Sequence, residues 1–285
     1  MSDKTKGILL LLLAAFGFAM MAAIVKLAGD IPAVQKTFFR NLISAAISFI
    51  LVKYHKERLF GRKENQWILI MRSAFGTLGI ILYFYAIDHL ILSDADMLNK
   101  LSPFLLILFS AVFLKEKAKT YQLISVLFAF IGALFIIKPS FSVETVPYLV
   151  GLLSSVVAAS AYTFLRMLGN REKYYTVVFY FSFFSTVVLG PWVLFHYQPM
   201  TGLQIFYLVL IGLFATMGQF GITLAYKFAP ASEISIFFYS TVLYATIISI
   251  VMFHQRPDLM SFIGYAVILA AMVYMFLRNK KRAAD

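Results

Sequence analysis

The sequence predicts an all-α, polytopic membrane protein whose ten transmembrane helices form two inverted five-helix repeats. Three observations carry that prediction. Hydrophobic residues fill 61% of the 285 positions and charged ones 13%, and the apolar runs are longer than a soluble core helix needs. Lys and Arg alternate between loops by parity. The chain also repeats itself at a spacing of 139 residues.

A crossing takes about 20 mostly apolar residues, so ten of them use about 200 and leave only short loops. Runs such as residues 8–25 and 104–114 do not alternate polar with apolar as barrel strands do. Lipid offers nothing to backbone N–H and C=O groups, so each span must satisfy them internally as a helix. The spans are expected at 7–29, 33–53, 66–88, 93–115, 119–138, 147–168, 174–197, 202–226, 230–253 and 258–277. The first run follows Lys4 and Lys6 as a signal peptide would, but it continues to Lys26 without a cleavage stretch and reads as a retained span. The absence of cysteine excludes disulfides, thiolate chemistry and iron–sulfur sites.

The formal net charge of +12 is a topology signal rather than a nucleic-acid footprint. Placing both termini in the cytoplasm puts 18 of the 25 Lys and Arg on that side and leaves Lys138 and Arg256 in outer loops. The other five, Lys26, Lys36, Arg40, Arg72 and Lys100, fall within spans. The expected location is the cell (inner) membrane, with N- and C-termini cytoplasmic. The lipid bilayer is then a partner, with a weak added attraction to anionic headgroups.

Shifted by 139 residues, Phe75-Gly76-Thr77-Leu78-Gly79 falls on Phe214-Ala215-Thr216-Met217-Gly218, and Ser93-Asp94 on Ser232-Glu233. The division expected is 1–140 for the first repeat and 141–285 for the second. Five spans being an odd number, the second copy enters the membrane from the opposite face. Inverted repeats of this kind give transporters inward-open and outward-open states of similar energy around a midplane site.

Several stretches then carry a family resemblance: Tyr85-Ala86-Ile87, Ser93-Asp94-Ala95, Leu101-Ser102-Pro103, Phe113-Leu114-Lys115-Glu116 and Phe38-Phe39-Arg40. Together they resemble the drug/metabolite transporter (DMT) superfamily in its EamA-type branch. The ninth span departs from the usual pattern, with Val242 for the proline and Gln255 for the acidic residue; the first has Phe16-Gly17 for Trp-Gly. The resemblance implies a central cavity lined by the first four helices of each repeat. It implies no substrate.

A charge at the centre of a span costs about 2.5–3.5 kcal/mol and so normally faces a partner or a wet cavity. Asp96, Asn99 and Lys100 stand at i, i+3 and i+4, on one face of the fourth span, with Pro103 a turn further. Two readings stay open: an ion pair neutralising itself between helices, or a cavity face with Lys100 and Asn99 donating to solute and Asp96 taking a proton. Pro103 removes a backbone donor and loosens the helix near Asn99. Around this face are expected Arg40 and Asn41, Tyr83, Tyr162, Gln219 and Tyr239, with Glu233 as a second proton-coupling acid. For Arg40, site and snorkelling weigh equally; Arg72, a turn and a half into its span, is expected to snorkel to the cytoplasmic face. Lys36, Arg40 and Lys100 against Asp96 make the outer half of the pathway basic, which suggests a solute with a carboxylate or phosphate. Gly76, Gly79, Gly218 and Gly221 are expected to bring helices close.

No HExxH, GxSxG or nucleotide-binding glycine motif occurs, and all four histidines lie in loops or at span ends, so neither an enzyme nor a cofactor is expected. The partner expected is a small-molecule substrate, with a homodimer left open. The function expected is transmembrane transport of a small organic metabolite by alternating access, secondary-active or by exchange. A proton-coupled exporter of cationic drugs is one alternative, although residues 7–28 hold no acid to bind the cation. A non-transporting scaffold or receptor is the other.

Overall fold

The computed structural model describes residues 2–138, 143–229 and 234–284, with the side chains of 226–227 and 280–284 excepted. Its helices are α1 (Asp3–Leu27), α2 (Ala33–Tyr54), α3 (Gln66–His89), α4 (Leu92–Asn99), α5 (Ser102–Phe113), α6 (Thr120–Ile137), α7 (Val146–Leu168), α8 (Tyr174–Phe195), α9 (Gly202–Phe228), α10 (Ser240–Phe253) and α11 (Leu259–Ala284). Short 3-10 segments at Lys63–Asn65, Val143–Thr145 and Ser235–Tyr239 lead into α3, α7 and α10. Among the described residues there are ten stretches long and apolar enough to cross a membrane, and no strand. The first four residues of the expected ninth span lie outside the described residues.

Helix ends follow local chemistry. Ser2 caps α1 by accepting from the Thr5 amide. Thr201 and Gln204 form a reciprocal capping box at the start of α9. The fourth span is not one helix. With Pro103 unable to donate, α4 ends at Asn99, and α5 starts at Ser102 with the proline in its first turn. The ninth span is likewise irregular over Ser235–Tyr239, the positions that the 139-residue register sets opposite Asp96 to Lys100, although Val242 stands where Pro103 does.

The two halves interlock. α1 packs along α9 and α7 along α3, so the first span of each half lies against the third of the other. The second span of one half meets the second of the other (α2 with α8), the fourth meets the fourth (α4 with α10), and the fifth meets the fifth (α6 with α11). One apolar core runs through both halves, from Met21, Phe84 and Met97 to Ile211, Val242 and Tyr265. Ile50, Val112, Leu127, Leu194, Leu243 and Val251 are exposed on the rim, as lipid-facing side chains would be.

The crossing of α6 and α11 is made by glycines. A Cβ on Gly264 would sit 2.6 Å from the Gly132 carbonyl oxygen, and one on Gly132 would sit 2.9 Å from the Gly264 oxygen. Lys138 and Asp258 pair across the end of the same two helices. At Gly79 the Ala158 backbone lies 3.5 Å from an added Cβ, so α3 and α7 also run close. Gly264→Ala is expected to destabilise the protein by about 1–3 kcal/mol in thermal unfolding of the detergent-solubilised chain. Gly202→Ala, with open space around the added carbon, should leave the melting temperature unchanged.

Candidate solute-binding site

The break in the fourth span fixes the first cluster. Lys100 is the residue on which α4 ends, and its ammonium lies 3.7 Å from Asp96 Oδ1 and 4.7 Å from the centre of the Phe238 ring. Tyr83 of α3 donates to Asp96 Oδ1 at 2.9 Å, while Asp96 Oδ2 is buried without a partner. Asn99 reaches across to Ser154 Oγ of α7 at 3.2 Å. Tyr239 is buried on the facing ninth span. Asp96 and Lys100 thus point into protein, not at acyl chains, with an open acceptor left on the carboxylate.

A second cluster lies between α2, α3, α7 and α8. Arg40 and Arg72 are 5% and 6% exposed, and their guanidiniums lie 5.7 and 3.9 Å from the centre of the Phe181 ring. Arg40 donates to Asn41 Oδ1 at 2.5 Å, and the Asn41 amide donates to Ser185 Oγ at 2.7 Å. Arg72 therefore does not snorkel as the sequence suggested, and Arg40 does not either. Gly76, one turn on from Arg72, leaves the space: a Cβ there would lie 3.0 Å from Arg72 Nη1 and 2.9 Å from the Phe181 ring. Tyr162 of α7 places its hydroxyl, buried, near both arginines, while the rest of its side chain reaches the surface of the bundle.

The expected single ring of residues is thus divided. Tyr83, Asp96, Asn99 and Lys100 belong to one cluster, and Arg40, Asn41 and Tyr162 to the other. Gln219 on α9 is half-buried, and among the described residues its bond with Thr223 is made by its backbone carbonyl. Glu233 lies outside the described residues. The basic lean of the outer half is smaller than expected, because Lys36, fully buried, is held by Asp88 at 2.7 Å. Lys26 donates to the carbonyls of Ile87 and Leu90. Sequence reasoning passed over Asp88 and gave Arg72 the wrong environment. A charge well inside an apolar run was the available signal for Arg72, whereas Asp88 sits at a span end where charges are ordinary. Asp88 also lines an opening with Asp30, Tyr85, His89 and Trp192.

A bundle of ten apolar helices with ionisable side chains turned inward is the construction of a membrane carrier. The chain belongs to the EamA-like transporter family, whose profile matches residues 5–138 and again 145–277. It is 34% identical over 278 residues to the "Pseudopaline exporter CntI" of Pseudomonas aeruginosa (strain UCBPP-PA14), covering 96% of this chain and 97% of that one. It is 28% identical over 293 residues to "Solute carrier family 35 member G1" of Homo sapiens, covering 96% and 79%. A solved chain described as "Crystal structure of protein" shares the fold, with a TM-score of 0.70 at 17% identity, covering 97% of this chain and 98% of its own.

The Lys36–Asp88 pair gives a direct test of buried pairing. Asp88→Asn leaves the Lys36 ammonium without its counter-charge and is expected to cost about 3 kcal/mol. Adding Lys36→Met should restore most of that stability, read by thermal unfolding of single and double variants.

Proposed function

We propose that the chain carries a small anionic metabolite across the cell membrane by alternating access, with two inverted repeats, residues 1–140 and 141–285, rocking about a midplane site. The observation that carries this reading is the exchange pattern of the halves. Every pairing of a first-half helix with a second-half helix has its counterpart: α1 with α9 answers α7 with α3, and second, fourth and fifth spans pair with their own equivalents. Equivalent pairings let one half adopt the other's conformation, which makes the two end states close in energy.

The loop distribution of Lys and Arg supports cytoplasmic termini. Buried cations outnumber buried acids around the central clusters, which favours a solute with carboxylate or phosphate oxygens over a cationic drug. The Pseudomonas relative is named as an exporter, and export is the direction we assign here. Asp96 serves as the proton-coupling acid. Its free Oδ2 accepts a proton, and protonation releases Lys100 from its ion pair to the solute.

The reading is tested in proteoliposomes. Wild-type protein should exchange a labelled anionic solute across the bilayer, and Lys100→Ala should slow that exchange by about tenfold while the protein remains monodisperse. A scaffold would move no solute, including any that stabilises it thermally. Asp96→Asn should retain exchange but lose accumulation driven by a pH gradient; accumulation indifferent both to this substitution and to collapse of the gradient would remove the proton from the mechanism.

A further inference from the structure

Among the described residues, the lysines within spans have partners, and two buried arginines have no counter-charge. Lys36 has Asp88 and Lys100 has Asp96, while half-buried Lys26 has two backbone carbonyls and the face of Phe253. Arg40 and Arg72 have no carboxylate among the described residues. Arg40 Nε and Arg72 Nε and Nη1 are buried and have no hydrogen-bond partner among the described residues. The two guanidiniums lie over one ring, which limits their separation to about 10 Å, and their charges repel.

Two like charges held out of water without a counter-ion are costly, and arginine stays protonated rather than escape that cost. Phe181 offsets part of it. Its π-face attracts a guanidinium without accepting its N–H groups, so the ring holds the cations in place and leaves their donors open. What the arrangement lacks is negative charge with several acceptor oxygens. Tyr162 adds a polar neighbour, because its hydroxyl is buried near both arginines while the rest of its side chain reaches the surface of the bundle.

We propose that Arg40 and Arg72, seated on Phe181 beside Tyr162, bind a small solute carrying two negative charges on carboxylate or phosphate oxygens. Two guanidiniums neutralise two charges, and their planar arrays of donors suit such oxygens better than a lysine would. A monoanion leaves one arginine unpaired and gains much less. The seat is asymmetric: the 139-residue register sets Phe179 opposite Arg40 and Ile211 opposite Arg72, so the bundle holds one such seat. It is built by α2 and α3 of the first half and α7 and α8 of the second, so an occupant ties the halves together. The proposal rests on the reading of the chain as a carrier of an anionic metabolite and narrows its substrate to dianions.

The test uses the full chain, delipidated in phosphate-free neutral detergent, with sodium succinate, inorganic phosphate, sodium acetate and sodium chloride compared at equal ionic strength. Succinate or phosphate should raise the melting temperature, and acetate and chloride should not. Arg72→Gln should abolish the response while leaving the ligand-free protein as stable as wild type or more so, because an unpaired charge has been removed. Arg72→Lys should keep a response weakened by about tenfold. A drop in ligand-free stability with the dianion response retained would make Arg72 a structural residue and overturn the proposal. So would equal responses to acetate and succinate. If only phosphatidylglycerol stabilises the protein, the seat belongs to a lipid headgroup and the solute assignment fails. Flux in liposomes separates the two layers of the reading. Dianion binding lost in Arg72→Gln, with no solute moved by wild type, sinks transport and keeps the seat. Flux that is neither competed by succinate nor altered by Arg72→Gln keeps transport and sinks the seat.

Discussion

Hydrocarbon accepts no hydrogen bonds, and that constraint orders everything else in this chain. It requires the backbone to close on itself as helices, and it requires each polar side chain within a span to find its partner inside the bundle. The pairings read as answers to it: Lys36 with Asp88, Tyr83 and Lys100 with Asp96, Asn41 with Arg40 and Ser185, and Ser44 with Thr216. Most of these bonds connect different helices, so the polar residues fix which helices are neighbours while small residues set how near they come. Several buried polar atoms leave the constraint unanswered, Thr77 Oγ1, Asp94 Oδ2 and Ser182 Oγ among them; at Arg40, Arg72 and one oxygen of Asp96 the protein holds charge or acceptor capacity in reserve.

Such reserves are costly to a static fold and useful to a carrier. A transporter must bind its solute in a place both faces can reach in turn, and the central clusters lie where the halves meet. α3 contributes to both, with Arg72 in one and Tyr83 in the other, and α7 likewise contributes Tyr162 and Ser154. Movement of α3 against α7 would therefore displace both clusters together.

Much of this was legible in the sequence, for reasons that differ by feature. Span number followed from hydropathy, because about 20 apolar residues admit few arrangements other than a crossing. The division of the fourth span was legible in Pro103. That of the ninth was not, because Val242 gives no such signal and the irregular turn there packs against α1, far away in sequence. The inward aim of Asp96 and Lys100 was legible from helical spacing. The environment of Arg72 was not, because depth along a helix says nothing about which way a long side chain turns, and Phe181 lies more than a hundred residues away. Nor did spacing show that Arg40 and Tyr162 lie in a different cluster from Lys100; only the pairing of α2 with α8 and α3 with α7 separates them.

The broken fourth span has one more consequence. Where α4 stops and α5 begins, the carbonyl end of one helix and the amide end of the next meet inside the membrane, so opposite partial charges stand side by side without any ionisable group. In the ninth span the corresponding positions, Ser235–Tyr239, form a 3-10 turn that runs on into α10. The first half thereby brings a backbone dipole of both signs to the bundle interior whatever its side chains are. That polarity belongs to the backbone, so exchanging the side chains at 96 and 100 would change the charge beside it while the polarised scaffold stays as it is.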